Sequence, residues 1–377
     1  MNAKELYHSV RKKDDWIRRH LRELVEQESP SQDASRVNAA SQIVERWASS
    51  LSVRFKRHKQ KEFGDVIELR FGRSRDREPV LVLGHLDTVW PAGTLQKMPW
   101  REASGRYWGP GVLDMKAGVV MAFAALKSLQ ELELERPVTL LLNSEEEVGS
   151  PVSRGITEKI ALESAAVFVL EPAQGLAYKT ARKGVGQYHV QVTGVGAHSG
   201  VDFEKGHSAV LELAKQIQTI SNFTNLDRKL TVNCGVLAGG TRSNVVPSEA
   251  HAEIDVRIAK ASDAAYVDRL FRRLKVYDPH CKLTITGGIN RPPMERKQGT
   301  IALFKKAHAL AAELGFVLEE ASTGGGSDGN FTAALGVPTL DGMGAVGEGA
   351  HAPHESVLIE HLVPRTALLA AMIASVE

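Results

Sequence analysis

Four stretches of this chain hold residues that bind metals or move protons, at spacings that suit that work. Gly84-His85-Leu86-Asp87-Thr88-Val89 sets an imidazole and a carboxylate two residues apart. An imidazole that binds a metal through one nitrogen needs the other one oriented, and Asp87 could do that for His85. Taken alone, His-x-Asp describes a surface histidine beside a turn aspartate equally well. Tyr107-Trp108-Gly109-Pro110-Gly111-Val112-Leu113-Asp114-Met115-Lys116-Ala117-Gly118 places Asp114 near the start of a helix, where an isolated aspartate also complements the helix dipole. Asn143-Ser144-Glu145-Glu146-Glu147-Val148-Gly149-Ser150 is harder to read as a solvated face. Three adjacent carboxylates repel one another unless cations or water relieve them. A metal site lets one glutamate ligate while its neighbour handles a proton. Gly342-Met343-Gly344-Ala345-Val346-Gly347-Glu348-Gly349-Ala350-His351-Ala352-Pro353-His354-Glu355 is a glycine-rich loop able to fold close to a metal. His351 and His354 both compete there for the ligand role.

These residues need elements that bring them together. Residues 79–84 form a continuous apolar run that delivers His85, residues 138–142 another that precedes the glutamates, and residues 165–170 a third that delivers Glu171. Such runs suit strands covered on both faces by helices. Residues 115–132, rich in Ala, Leu and Val, read as the helix between the first two. Strand, helix, strand order predicts an α/β sheet, whose sites lie beyond the carboxyl ends of the strands. His85, the glutamate run and Glu171 would all lie at that end.

Residues 3–27 and 35–50 read as further helices. Near Lys183 the pattern changes: strand-like at 187–193, helical at 206–223, and strand-like at 230–237 and 250–258. A helix at 262–277 and a strand at 282–286 follow. The order β-α-β-β-α-β is that of a ferredoxin-like module. From Thr300 the first pattern resumes, with a strand at 337–340 and a helix from Val363. The division is a catalytic α/β domain over 1–181 and 293–377, interrupted by an inserted domain over 182–292.

Composition narrows the classes. Of 377 residues, 43% are hydrophobic and 24% charged, as in an ordinary globular protein. A net charge of +2 gives no reason to expect nucleic acid or an anionic membrane as partner. The only cysteines are Cys234 and Cys281, too few for a zinc-thiolate site, so a bound zinc must take His, Asp and Glu ligands. No signal-like apolar segment follows the polar start, and no run is long enough for a membrane span, so a cytoplasmic enzyme is expected.

GHLDTV, GPGVLDMKAG, NSEEEVGS, LEP and GAHAPHE together resemble, in order and spacing, the M20 metallopeptidase family, nearest to its glutamate carboxypeptidase group. The likeness runs over nearly the whole chain after about Pro79. It implies a zinc-peptidase catalytic domain with an inserted lid and dimerisation domain. It further implies two zinc ions per subunit, with cobalt or manganese as alternatives. His85 and Glu171 would hold one ion, Glu147 and His351 the other, and Asp114 would bridge both. Asp87 would orient His85, and Glu146 would be the general acid/base. His354 is at most an outer contact.

The inserted domain would supply the substrate end. Gly194-Val195-Gly196-Ala197-His198-Ser199-Gly200 resembles the family segment whose histidine reaches the oxyanion, often in the partner subunit; by itself His198 reads as a loop histidine. Asn244 resembles a substrate-contacting loop residue. Arg257, otherwise a solvated strand charge, matches the family arginine for the substrate carboxylate, with Arg291 a weaker counterpart. Thr323-Gly324-Gly325-Gly326-Ser327-Asp328-Gly329 lacks the Gly-Lys-Ser/Thr ending of a P-loop. In the family this turn lines the substrate pocket, which brings in Gly325. Asp114-Met115-Lys116-Ala117-Gly118 departs from the group's Asp-Asp-Lys-Gly-Gly, and Arg182-Lys183-Gly184-Val185-Gly186 also differs, which weighs against a folate-type substrate.

The expected activity is cleavage of the amide bond to a C-terminal amino acid, glutamate among the candidates, in N-acyl or peptidyl substrates. An N-acyl-amino-acid or acyl-diamine deacylase is the alternative. A non-catalytic metal- or ligand-binding paralogue is the reading from another class. A homodimer through the inserted domain is implied by the resemblance alone.

Overall fold

Strands Val80–His85 and Val138–Asn143 are buried along their whole length, because each face of their sheet meets its own apolar layer. Val80, Val82, Leu140 and Phe168 point into one core, with helices Ala117–Glu131 and Leu362–Ser375. Leu81, Leu83, Leu141, Val167 and Val169 point into a second core, against Ile160 and Ala161 of helix Arg154–Leu162. The sheet of this computed structural model has six strands in the order Val53–His58, Val66–Phe71, Val138–Asn143, Val80–His85, Ala166–Val169, Thr339–Leu340. The last four run parallel, and the first two pair antiparallel at one edge. The structure describes residues 3–72, 77–133 and 136–376; Met1 and Asn2 of the polar start, and Glu377, lie outside them.

Several elements differ from the sequence reading. The first predicted helix is two, Ala3–Arg11 and Asp14–Glu26. At the break, buried Lys13 directs its ammonium to the Ser9 carbonyl and hydroxyl, 3.1 Å each, and to Glu131. Strands Val53–His58 and Val66–Phe71 are additional. Their charges hid them: buried Glu68 is held by His58 at 2.7 Å and by Arg70.

The chain divides into two compact units. One comprises Met1–Ala181, Arg296–Thr323 and Ser327–Glu377; the other is Arg182–Glu295 with Gly324–Gly326. In the second unit four antiparallel strands lie in the order Thr231–Gly239, Glu249–Ile258, Gly184–Thr193, Lys282–Arg291, the ferredoxin-like arrangement. Tyr188, Val190 and Val192 alternate inward with Ala252, Ile254, Val256 and Ile258. Helices Ala209–Ser221 and Ser262–Arg272 belong to this unit, and Tyr188 stacks on Phe271 at 3.8 Å between ring centroids. The second helix ends five residues earlier than its pattern predicts. Glu212 accepts the backbone N–H groups of Tyr277 and Asp278 at 2.9–3.1 Å, and so captures donors that a longer helix would use. Among the described residues no helix is long and apolar enough to cross a membrane.

Candidate metal centre

The parallel strands end together, and that places the chemistry. His85 closes its strand opposite Asn143, two residues before the glutamates, and Glu171 follows strand Ala166–Val169 by two residues. Asp114 sits in the turn Val112–Lys116, which enters helix Ala117–Glu131 and has a cis Asp114–Met115 peptide bond. Gly118 and Gly344 both press against the Leu170 carbonyl just before Glu171. A Cβ at either would stand 2.2–2.3 Å from that oxygen, so only glycine lets the Asp114 helix and the 342–344 loop approach. The loop is fixed further by buried Arg365, which donates to the Gly344 and Gly342 carbonyls at 2.9 and 2.8 Å.

Six side chains from these segments converge. His85 Nε2 lies 3.4 Å from Asp114 Oδ1 and 3.7 Å from Glu171 Oε1. His351 Nε2 lies 3.3 Å from Asp114 Oδ2 and 3.2 Å from Glu147 Oε2. Asp114 thus faces a histidine with each oxygen. His351, and not His354, meets the carboxylates. A nitrogen of His85 and oxygens of Glu146 and Glu171 all lie within 4.8 Å of one another.

Three further carboxylates organise the cluster from behind. Asp87 is fully buried, its carboxylate 3.3 Å from His85 Nδ1, and its main-chain oxygen is 3.0 Å from the same nitrogen. Its carboxylate also accepts the Glu146 and Glu147 backbone N–H groups at 3.1 Å and the Ser31 hydroxyl at 2.6 Å. Asp87 therefore orients the imidazole and the glutamate turn together. Glu145 faces inward and accepts from Ser144 and from the Val152 and Ser153 N–H groups, so it holds its own turn in place. Sequence reasoning missed Glu355. It is buried and accepts from the Gly111, Leu113 and Asp114 N–H groups and from the Trp90 indole at 2.7–3.1 Å. Its only signal was a charge next to the histidine loop.

The electrostatics favour added positive charge. Burial would raise the Asp114 carboxyl, but His351 and His85 hold it well below the usual range. Burial opposes a charged His85, yet Asp114 and Asp87 raise its pKa well above normal. Asp114 and Glu147 carry His351 up to about 11. Burial raises the Glu147 carboxyl, with His351 offsetting part of the shift. His85 Nε2, Asp114 Oδ1 and Glu147 Oε1 are buried without a hydrogen-bond partner. Unpartnered buried polar atoms of this kind are costly unless something fills the space between them. An N/O set of two imidazoles and three carboxylates matches what zinc accepts.

The residues expected at the substrate end belong to the second unit. His198 pairs with Val245 in a short two-stranded ribbon, where the Asn244 carbonyl accepts the Ser199 N–H at 3.1 Å. Arg257 is bonded to Asp255 at 2.8 Å and donates to the Gly324 carbonyl at 3.3 Å. Arg182 donates to the Gly325 and Gly326 carbonyls at 3.3 and 3.1 Å. Arg291 is buried, its side chain lying where a Cβ on Gly326 would intrude. Arg182 was not among the expected residues; nothing in its sequence context pointed to the glycine turn.

The comparisons with known proteins converge on one family. The model of peptidase family M20/M25/M40 matches residues 81–375. Carboxypeptidase G2 of Pseudomonas sp. (strain RS-16) is 29% identical over 362 residues, covering 93% of this chain and 86% of that protein. Acetylornithine deacetylase of Myxococcus xanthus is 24% identical, covering 82% and 83% of the two chains. The M20 family metallo-carboxypeptidase Sso-CP2 of Sulfolobus solfataricus shares the fold, with a TM-score of 0.78 at 18% identity over 95% of this chain and 98% of that one. With a family match across three quarters of its length and a metal-ready cluster at the strand ends, the chain is a hydrolase that belongs to peptidase family M20/M25/M40.

Proposed function

We propose that this protein is a dinuclear zinc hydrolase that releases a C-terminal amino acid, glutamate among the candidates, from N-acyl or peptidyl substrates. The observation that carries the reading is the Asp114 carboxylate set between two histidines, with buried, partnerless atoms on His85, Asp114 and Glu147 around it. His85, Glu171 and Asp114 would hold one ion, and His351, Glu147 and Asp114 the other. Bound there, the ions supply Lewis-acid polarisation of the scissile carbonyl and make water nucleophilic near neutral pH. Glu146 takes the proton from the attacking water and delivers it to the leaving amine nitrogen. Asp87 serves that transfer by fixing the Glu146 N–H and His85 at once.

In the same reading His198 donates to the developing oxyanion, a contribution that is often the largest single term in such reactions. Asn244, Arg257, Arg291 and Gly325 line the substrate end. Arg257 offers a guanidinium for the free carboxylate, which must compete with Asp255. The boundaries 1–181, 182–292 and 293–377 then separate the metal-holding residues from the inserted module. The exposed edge strand Thr231–Gly239 carries Leu237 at 61% exposure, and the helix Ala209–Ser221 carries Leu211 at 59%. This apolar edge supports pairing of two copies through the inserted unit.

Carboxypeptidase G2 and acetylornithine deacetylase are both relatives, so a deacylase acting on N-acyl amino acids or acyl diamines is the second reading. A mass-spectrometric screen of the zinc-loaded protein against N-acyl amino acids, dipeptides and folate-type conjugates separates them. Glu146→Gln run alongside should lower turnover by about 10²–10⁴ while still binding metal. Full activity in that variant would remove Glu146 from the mechanism.

A further inference from the structure

Glu355 offers no free oxygen to a metal or a substrate. Its Oε1 accepts the Leu113 and Asp114 N–H groups at 2.9 and 3.1 Å, and its Oε2 accepts the Gly111 N–H and Trp90 Nε1–H at 2.8 and 2.7 Å. A carboxylate taking four donors at 1% exposure is committed to what it holds. What it holds are three chain segments from distant parts of the sequence. Trp90 follows Asp87 by three residues, the Gly111–Asp114 turn carries the aspartate between the histidines, and Glu355 itself follows His351 by four.

The Asp114 turn needs such a brace. Gly111, Leu113 and Asp114 stand at its N-terminal end, where N–H groups have no preceding helical carbonyl to serve them, and residues 114 and 115 depart from helical backbone angles. Glu355 collects those N–H groups on one rigid group and so determines where the Asp114 side chain leaves the backbone. His351 adopts a left-handed backbone (φ 62°), and the turn after it closes through the Glu355 N–H to the Ala352 carbonyl at 2.9 Å. Asp87 does the corresponding work for His85, Glu146 and Glu147.

We infer that Glu355 is a positioning residue that sets the Asp114 carboxylate midway between His85 and His351, so that two divalent ions bind as a bridged pair. This rests on the dinuclear reading above. A glutamine at 355 would turn an amide NH2 toward N–H groups that need acceptors, and the Asp114 turn would shift.

The test is a titration of ion-free wild type and Glu355→Gln with Co2+, read by calorimetry and by the visible spectrum at saturation. The wild type should take up two ions. In the variant, affinity for at least one ion should fall about 10–100-fold, the range seen when groups behind metal ligands are removed, and the saturated spectrum should change. A residue that merely stabilised the fold would lower Tm and leave ion affinities and spectrum at wild-type values; that result overturns the inference. Should Glu355→Gln not fold, Trp90→Phe decides in its place. It removes one of the four donors and should weaken ion binding in the same direction, whereas unchanged binding overturns the inference. Fewer than two ions on the wild type counts against the paired-metal reading, and the variant's shift relative to wild type still tests Glu355.

Discussion

At the scale of single residues the cluster consists of groups whose charges make sense only together. His351 is half exposed, yet its pKa is raised to about 11, because Asp114 and Glu147 both lie within 3.3 Å. A divalent ion would take the place of the proton on that imidazole, with His351 kept as a neutral ligand among the carboxylates. On the dinuclear proposal His351→Ala leaves Asp114 and Glu147 as the only side chains of its half-site, so metal analysis should find one ion per chain against two expected for wild type, with little turnover. Retention of both ions by the variant would assign the second site to other residues. The same scale separates the two histidines of this loop: the His354 ring lies against Gly349, while His351 reaches Asp114 and Glu147.

Elements matter because they carry ligands that are far apart in sequence to one end of a sheet. Parallel strands ending in register place His85, the glutamate turn and Glu171 within a few ångströms, which no local pattern can do. The antiparallel edge has its own electrostatic logic. Burial raises the Glu68 carboxyl, but His58 and Arg70 outweigh it and hold it below the usual value. A lowered carboxyl contributes stability above its unfolded pKa, near 4.5, and loses it as pH falls through the folded value. Glu68→Gln should therefore cost about 1–3 kcal/mol at neutral pH. Its Tm should approach that of wild type in acid below that value, as read by thermal melts across pH. Parallel curves at all pH values would mean the pair contributes nothing.

On the scale of the whole molecule, two units with separate cores divide the labour: the first collects the metal-ready cluster, and the second holds His198, Asn244, Arg257 and the glycine turn. Ion removal should therefore act on the first unit. A free ion at 100 times its Kd stabilises by about 2.7 kcal/mol per site, so removing both with a chelator should lower Tm by roughly 10 °C, and added zinc should restore it. The second unit presents its apolar edge strand to solvent, so Leu237→Asp should convert a dimer to a monomer in light scattering coupled to size exclusion. A wild type that is already monomeric would remove the pairing proposal.

Much of this was legible in the residues alone. Apolar runs ending in His85, Glu145–Glu147 and Glu171 announce strands and the polar ends they deliver, because a strand buried on both faces has no other place for charge. The alternation at 250–258 announces a half-buried strand for the same reason. Tertiary structure decided the rest. Whether Glu145 or its neighbours face the cluster depends on which carboxylate the turn consumes for its own N–H groups. Glu355 reads locally as one more charge in a loop, and only long-range folding brings the Gly111–Asp114 turn to it. The hairpin at 53–71 and the early end of the helix at Arg272 escaped for a related reason. Glu68 is a buried charge held by His58 of the paired strand and by Arg70, and Glu212 is one satisfied by backbone N–H groups of a distant segment; local periodicity records neither the burial nor the pairing.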